Sequence, residues 1–129
     1  FDRQLSIYKG KLTYKNKIID VSLNPDDEVD ITKSILTFKK INNNFASFYH
    51  DVLKNCFQKL VVMVEEWNND KHIITETEII KRIYNNIISI DIVDTNFTIY
   101  IDDDNLFLGH VIVYYGNIEN NEFILEIAG

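Results

Sequence analysis

Between Phe45 and Trp67 the apolar side chains Phe45, Tyr49, Val52, Cys56, Leu60, Met63 and Trp67 recur at intervals of four, three, four, four, three and four residues. A mean spacing near 3.6 is that of an α-helix turning one face to a core. The stripe predicts a helix over 45–68, ~36 Å long at about 1.5 Å per residue. Phe48, Leu53, Phe57, Val61 and Val64 widen it. A helix with so broad an apolar face needs neighbours on more than one side, and it organises whatever core the chain builds.

The rest of the chain must cover that helix. Before it, Leu5 and Ile7, then Leu12 and Tyr14, then Ile19, Val21 and Leu23 alternate with polar residues, the period of half-buried strands. Lys15-Asn16 is the length of a two-residue hairpin loop, and asparagine tolerates the left-handed backbone such loops use. The parity changes between Ile7 and Leu12 around Gly10, which signals a further turn or, as the favoured reading, a bulge in one long strand. Asn24-Pro25-Asp26-Asp27 ends this β-meander, because proline cannot donate to a strand ladder. Asp30 is the expected N-cap of a first helix whose apolar positions are Ile31, Ile35 and Phe38, and which stops in Asn42-Asn43-Asn44.

Beyond the long helix, Thr75 and Glu78 have capping-box spacing ahead of Ile79, Ile80, Ile83 and Tyr84. Three stretches of period two follow: Ile88, Ile90 and Ile92; Phe97, Ile99 and Ile101; and Phe107, Val111, Val113 and Tyr115 with Gly109 in step. Asp94 to Asn96 and Asp102 to Asn105 supply turns. The expected layout is a β-meander over about 1–24, helices over 30–42, 45–68 and 76–85, and a second β-meander over 87–127. Strands do not alternate with helices, so the fold class is α+β, with three helices on one face of an antiparallel sheet. At 129 residues, 46% apolar and with 21 isoleucines, the chain has material for one such core and is expected to form a single domain over 1–129.

The two ends of the chain resemble a bacterial family known only as a domain of unknown function, catalogue number 2262. The resemblance rests on Asp2-Arg3 with Leu5, Tyr8 and Gly10, on Ser22-Leu23 leading into Pro25-Asp26-Asp27, on the run from Asp103 to His110, and on Gly116 and Ile127-Ala128-Gly129. It implies an α+β fold and a bacterial source and carries no activity. The family pattern has tryptophan at the position of Leu108 and a glycine turn at Asp94-Thr95-Asn96, and this chain departs from both.

Charge and cysteine content narrow the function classes. The net charge is −7, distributed as +3 over residues 1–60 (ten basic, seven acidic) and −10 over residues 61–129 (three basic, thirteen acidic). A net negative protein gains no counterion-release energy from phosphate backbones, so nucleic acid is not an expected partner, whereas a basic protein is. No apolar run reaches the roughly 18 residues of a membrane span and no secretion signal is visible, so no membrane association is expected. Cys56 is the only cysteine, which excludes an internal disulfide and suits a reducing cytoplasm.

Candidate chemistry centres on Asp102, Asp103, Asp104 and His110. Three consecutive carboxylates do not face one ion without a bent loop, a calcium loop needs oxygen ligands at alternate positions, and Leu106 stands where the third would be. A solvated hairpin turn is the favoured reading, and no metal or cofactor is expected. Asp103, Asp104 and His110 are the catalytic candidates for a hydrolase. If Phe107, Val111 and Val113 face the core, Leu108, His110, Ile112 and Tyr114 share the opposite face. Tyr8, Leu108, His110 and Tyr114 are accordingly the binding candidates. Cys56 lies on the apolar stripe, where low polarity suppresses a thiolate, and His50 does not share its face. Lys9, Lys11, Lys15 and Lys17 suit an acidic ligand or, more simply, the protection of a sheet edge. With no assembled nucleophile, base and oxyanion donors, the chain reads as a non-catalytic module for a basic protein partner, inhibitor or immunity protein being one form. A small hydrolase or metal-dependent enzyme is the alternative.

Overall fold

The computed structural model describes residues 8–23, 31–67, 75–104 and 109–128. In chain order these form β1 (Tyr8–Tyr14), β2 (Lys17–Leu23), α1 (Thr32–Asn43), α2 (Phe45–Trp67), α3 (Glu76–Ile83), β3 (Ile87–Val93), β4 (Asn96–Asp102), β5 (Val111–Asn117) and β6 (Phe123–Ala128). The six strands make one sheet in sequential order. The fold is α+β. No helix among the described residues is long and apolar enough to cross a membrane.

The sheet departs from a wholly antiparallel one at a single junction, where β2 and β3 run parallel from Asp20↔Ser89 to Leu23↔Ile92. Strands that neighbour in the sheet but are separated by three helices are joined by a crossover, and such a connection allows the parallel direction that a hairpin forbids. Within the first hairpin Lys15 and Asn16 both have positive φ, 48° and 64°. Two consecutive left-handed residues are the signature of the turn that matches strand twist. β1 pairs with β2 without interruption from Tyr8↔Leu23 to Tyr14↔Lys17, so the bulge expected at Gly10 is not there; Ile7 lies outside the described residues.

The bulge occurs instead in β3. Ile87 pairs with Ile101 and Ser89 with Tyr100, leaving Ile88 as the extra residue. That insertion turns Ile88 outward, 47% exposed, and lets Ile87, Ile90 and Ile92 all reach the core. The expected core set of Ile88, Ile90 and Ile92 is therefore corrected at its first member. The facing of β5 is corrected, although Val113, expected to be buried, is buried at 3% exposed on the side away from the helices. Ile112 and Tyr114 face the helices, paired with the inward Ile101 and Ile99, and Tyr115 points away. Both faces of β5 are apolar, so its own alternation does not choose between them; the strands beside it do.

The buried face of α2 comprises Phe45, Tyr49, Val52, Cys56 and Leu60 from the stripe and Leu53 from its flank, while Met63 is only partly buried. Aromatic contacts tie it to the sheet. Tyr14 meets Phe45 edge-on at 5.0 Å between ring centroids, and Phe48 meets Phe97 at 5.0 Å. From Phe97 the row continues stacked onto Tyr114 (6.0 Å) and Phe123 (5.3 Å). α1 buries Ser34, Thr37 and Ile41, while Ile35 and Phe38 pack only at its flank. The reason is the β3–β4 turn: Ser34 Oγ accepts from the Asp94 N–H (2.8 Å) and Thr37 Oγ1 donates to the Asp94 carbonyl (2.6 Å), so two short hydroxyls sit where larger side chains were expected. Asp30 lies outside the described residues, and Ile31 at the N-cap position offers no side-chain cap. Thr75 does cap α3, accepting from the Glu78 N–H at 3.2 Å.

Gly116 lies opposite Phe97, and a Cβ there would sit 2.5 Å from Phe97 Cζ and 3.0 Å from the Tyr114 ring. Phe97 cannot yield freely, being held between Phe48 and Tyr114. Gly116→Ala is expected to destabilise the protein by about 1–3 kcal/mol in urea unfolding. Adding Phe97→Leu to that variant should recover part of the loss that the two changes would otherwise sum to, a coupling readable in a double-mutant cycle.

Candidate functional site

The sequence candidates meet at the connection between β4 and β5. β4 ends at Asp102, whose N–H donates to the Asn86 carbonyl (2.9 Å), while Asn86 Nδ2 donates to the Arg82 carbonyl (2.9 Å). The end of α3 is thereby fixed against the end of β4. Asp103 is fully buried, and its Oδ2 accepts the backbone N–H groups of Gly109 (3.1 Å) and His110 (3.0 Å). A carboxylate out of water requires such donors, and here they come from the far side of the loop. Asp104 has positive φ (49°) and receives Arg82 Nε on Oδ2 at 2.9 Å, with Arg82 Nη2 donating to its carbonyl. Both partners of that pair are substantially exposed, so the ion pair itself contributes little.

Asp103 and Asp104 thus hold the loop closed: one staples its two ends, the other ties it to α3. His110 is half-buried beside them, at the entrance to β5. Among the described residues no three His, Cys, Asp or Glu side chains gather as metal ligands. Of the four binding candidates, Tyr114 is corrected: it is 3% exposed beneath α2, its hydroxyl accepting from Asn55 Nδ2 at 3.1 Å. Leu108 and the Tyr8 side chain lie outside the described residues.

Two of the four lysines serve the fold. Lys15 Nζ lies 3.9 Å from the centroid of the Tyr84 ring, and Lys17 Nζ donates to the carbonyls of Asn85 and Ile87. Tyr84 is held below the ordinary tyrosine range by the Tyr14 hydroxyl first and by Lys15 next. Tyr14 is pushed upward, chiefly by burial and next by the neighbouring Tyr84 hydroxyl. Lys9 and Lys11 remain exposed on β1, opposite Ser22 and Asp20.

What the sequence reading missed is on the face of the sheet away from the helices. Thr98, Tyr115 and Ile124 form one cross-strand row over β4, β5 and β6. Tyr115 is 40% and Ile124 60% exposed. With Asn96, Asn117 and Glu122 they border a groove of about 710 Å³. Its rim is rigid: Asn117 Nδ2 donates to Thr95 Oγ1 (3.0 Å) and Asn96 Oδ1 (2.9 Å), and its Oδ1 accepts the Glu119 N–H (2.8 Å). The available signal was the surplus of apolar residues in β5, which fills two faces where one core needs only one.

The family model described as an uncharacterized protein conserved in bacteria, domain of unknown function 2262, matches residues 1–127. The chain belongs to that family. No curated protein and no solved structure matches it. The family description names no activity, so the chemistry has to come from the geometry above.

Two outcomes follow. Asp103→Ala leaves two backbone N–H groups without their acceptor and is expected to cost about 1–3 kcal/mol in urea unfolding, whereas Arg82→Ala should cost less than about 1 kcal/mol. Burial pushes the Cys56 thiol up to about 12, against an ordinary value of 9.0, with Lys59 opposing weakly. The protonated thiol favours the folded state, so this contribution is complete below pH 9 and is lost as pH rises toward 12. Cys56 should accordingly resist a thiol-specific disulfide reagent at pH 8 and react stoichiometrically once urea unfolds the chain.

Proposed function

We propose that this protein is a non-catalytic binding module for a basic protein partner, of inhibitor or immunity type, working as a single domain in the cytoplasm. The observation that carries the reading is the far-face groove, where Tyr115 and Ile124 stand exposed beside Glu122 on a rim of fixed asparagines. Exposed aromatic and aliphatic side chains on rigid strands are the usual anchors of an interface, and surrounding charge steers the partner and rejects others. Glu126 and Asp91 share this face, and the −10 charge of residues 61–129 gives the field its sign. The lone buried thiol of Cys56 suits a reducing compartment.

The enzymatic alternative, a small hydrolase or metal-dependent enzyme on Asp102–Asp104 and His110, has in its favour that the Asp103 carboxylate accepts the His110 N–H and that Asp104 beside it holds Arg82. Against it stands the use already made of both carboxylates, one accepting two backbone N–H groups and the other paired with arginine. A general base needs its oxygen free to reach substrate.

The test is quantitative capture from the source bacterium with the wild-type chain and with Tyr115→Ala and Glu122→Lys. A stoichiometric basic protein should bind the wild type, lose about 2 kcal/mol or more on Tyr115→Ala, and associate more slowly with Glu122→Lys at low salt. Absence of any stoichiometric partner, or equal binding by all three chains, would remove the groove from consideration.

A further inference from the structure

The two edges of the sheet are built differently. β1 carries Lys9 and Lys11 at exposed positions, and lysine on an edge strand deters pairing with another sheet. β6, the opposite edge, reads Phe-Ile-Leu-Glu-Ile-Ala, with no lysine, proline or glycine, and it pairs with β5 in unbroken register from Gly116↔Phe123 to Val111↔Ala128. Among the described residues no strand pairs with its outer side. Its helix-side residues Phe123, Leu125 and Ile127 are only half-buried, although they continue the row of fully buried side chains on the neighbouring strands.

We infer that β6 is a self-pairing edge: two copies of the chain join antiparallel along β6, about a two-fold axis at Leu125, into one sheet continuous across both copies. The strand is its own complement in that register. Phe123 faces Ile127, Leu125 faces its copy, and Ile124 faces Glu126, so the helix-side contacts are all apolar and each carboxylate meets an aliphatic chain. Moving the axis to Glu126 would set two carboxylates opposite each other, and moving it to Ile124 would set Glu122 opposite Glu126; like charges in directly opposed positions are destabilising. An axis between residues would place the helices of the two copies on opposite faces and break the apolar row. Charge therefore selects one register, and the resulting contact is isologous and closed, the commonest form of assembly. The pairing shares Glu122, Phe123 and Ile124 with the border of the groove and leaves Tyr115 outside the contact, so self-association and partner capture are read separately, the first by mass and the second by Tyr115→Ala.

Light scattering of the purified chain over a concentration series tests the inference, with a mass of twice 15.2 kDa expected at the upper end. Ile124 is exposed, so two substitutions there leave the fold intact, which circular dichroism checks. Ile124→Glu opposes a carboxylate to Glu126 at both symmetry-related pairs and should weaken self-association by roughly tenfold or more; Ile124→Lys opposes unlike charges and should retain or strengthen it. Hydrogen exchange of the β6 amides should slow as dimer forms. A mass of 15.2 kDa throughout the series, a dimer indifferent to Ile124→Glu, or equal weakening by both substitutions would each overturn the inference.

Discussion

One cross-strand row governs this fold: Val21, Ile90, Ile99, Tyr114 and Leu125 stand opposite one another through β2, β3, β4, β5 and β6, all on the side that α2 covers. Side chains in a strand alternate with period two, so a slip of one residue in any strand would carry its whole apolar set to the other face. The row therefore fixes the register of every strand at once. The bulge at Ile88 is the adjustment that keeps Ile87 in line with Ile101 despite the parity of the residues beyond it. Gly116 is the same constraint at the end of β5, where the chain omits a side chain so that Phe97 can lie over the strand.

Given that row, the polar side chains sort by what they satisfy. Ser34 and Thr37 complete the backbone of the β3–β4 turn, Asp103 completes the backbone of the β4–β5 connection, and Asn117 completes the turn that leads into β6. Each lies where strands end and backbone N–H or carbonyl groups have no ladder partner. The densest acidic stretch of the sequence is of this kind, which is why it looks like a site in one dimension and acts as a fastening in three. The free chemistry is displaced to the far face, where Tyr115, Ile124 and Glu122 have no such duty in the core.

Much of this was legible in the residues. The helical stripe from Phe45 to Leu60, the Lys15-Asn16 hairpin, the Thr75 cap and the alternation of Phe97, Ile99 and Ile101 each follow from local periodicity or turn chemistry. The errors share one cause. The phase of β5, the position of the bulge and the buried face of α1 are set by neighbours distant in sequence: Ile99 and Ile101 decide which of two apolar faces of β5 turns inward, and the Asp94 turn decides that hydroxyls, not Ile35 and Phe38, are buried on α1. The parallel junction of β2 with β3 is likewise a property of the crossover, which no strand pattern encodes. The groove is hidden from the sequence for the same reason, because the inverted phase puts Tyr115 in the core.

The central claim is that Tyr114 and Tyr115 lie on opposite sides of the sheet, the first sealed beneath α2 and the second open to solvent. Hydroxyl-radical footprinting read residue by residue addresses this directly. Tyr115 and Ile124 should be oxidised rapidly in the native protein while Tyr49 and Tyr114 are protected until the chain unfolds. Protection of Tyr115 equal to that of Tyr114, or rapid oxidation of Tyr114, would contradict the account.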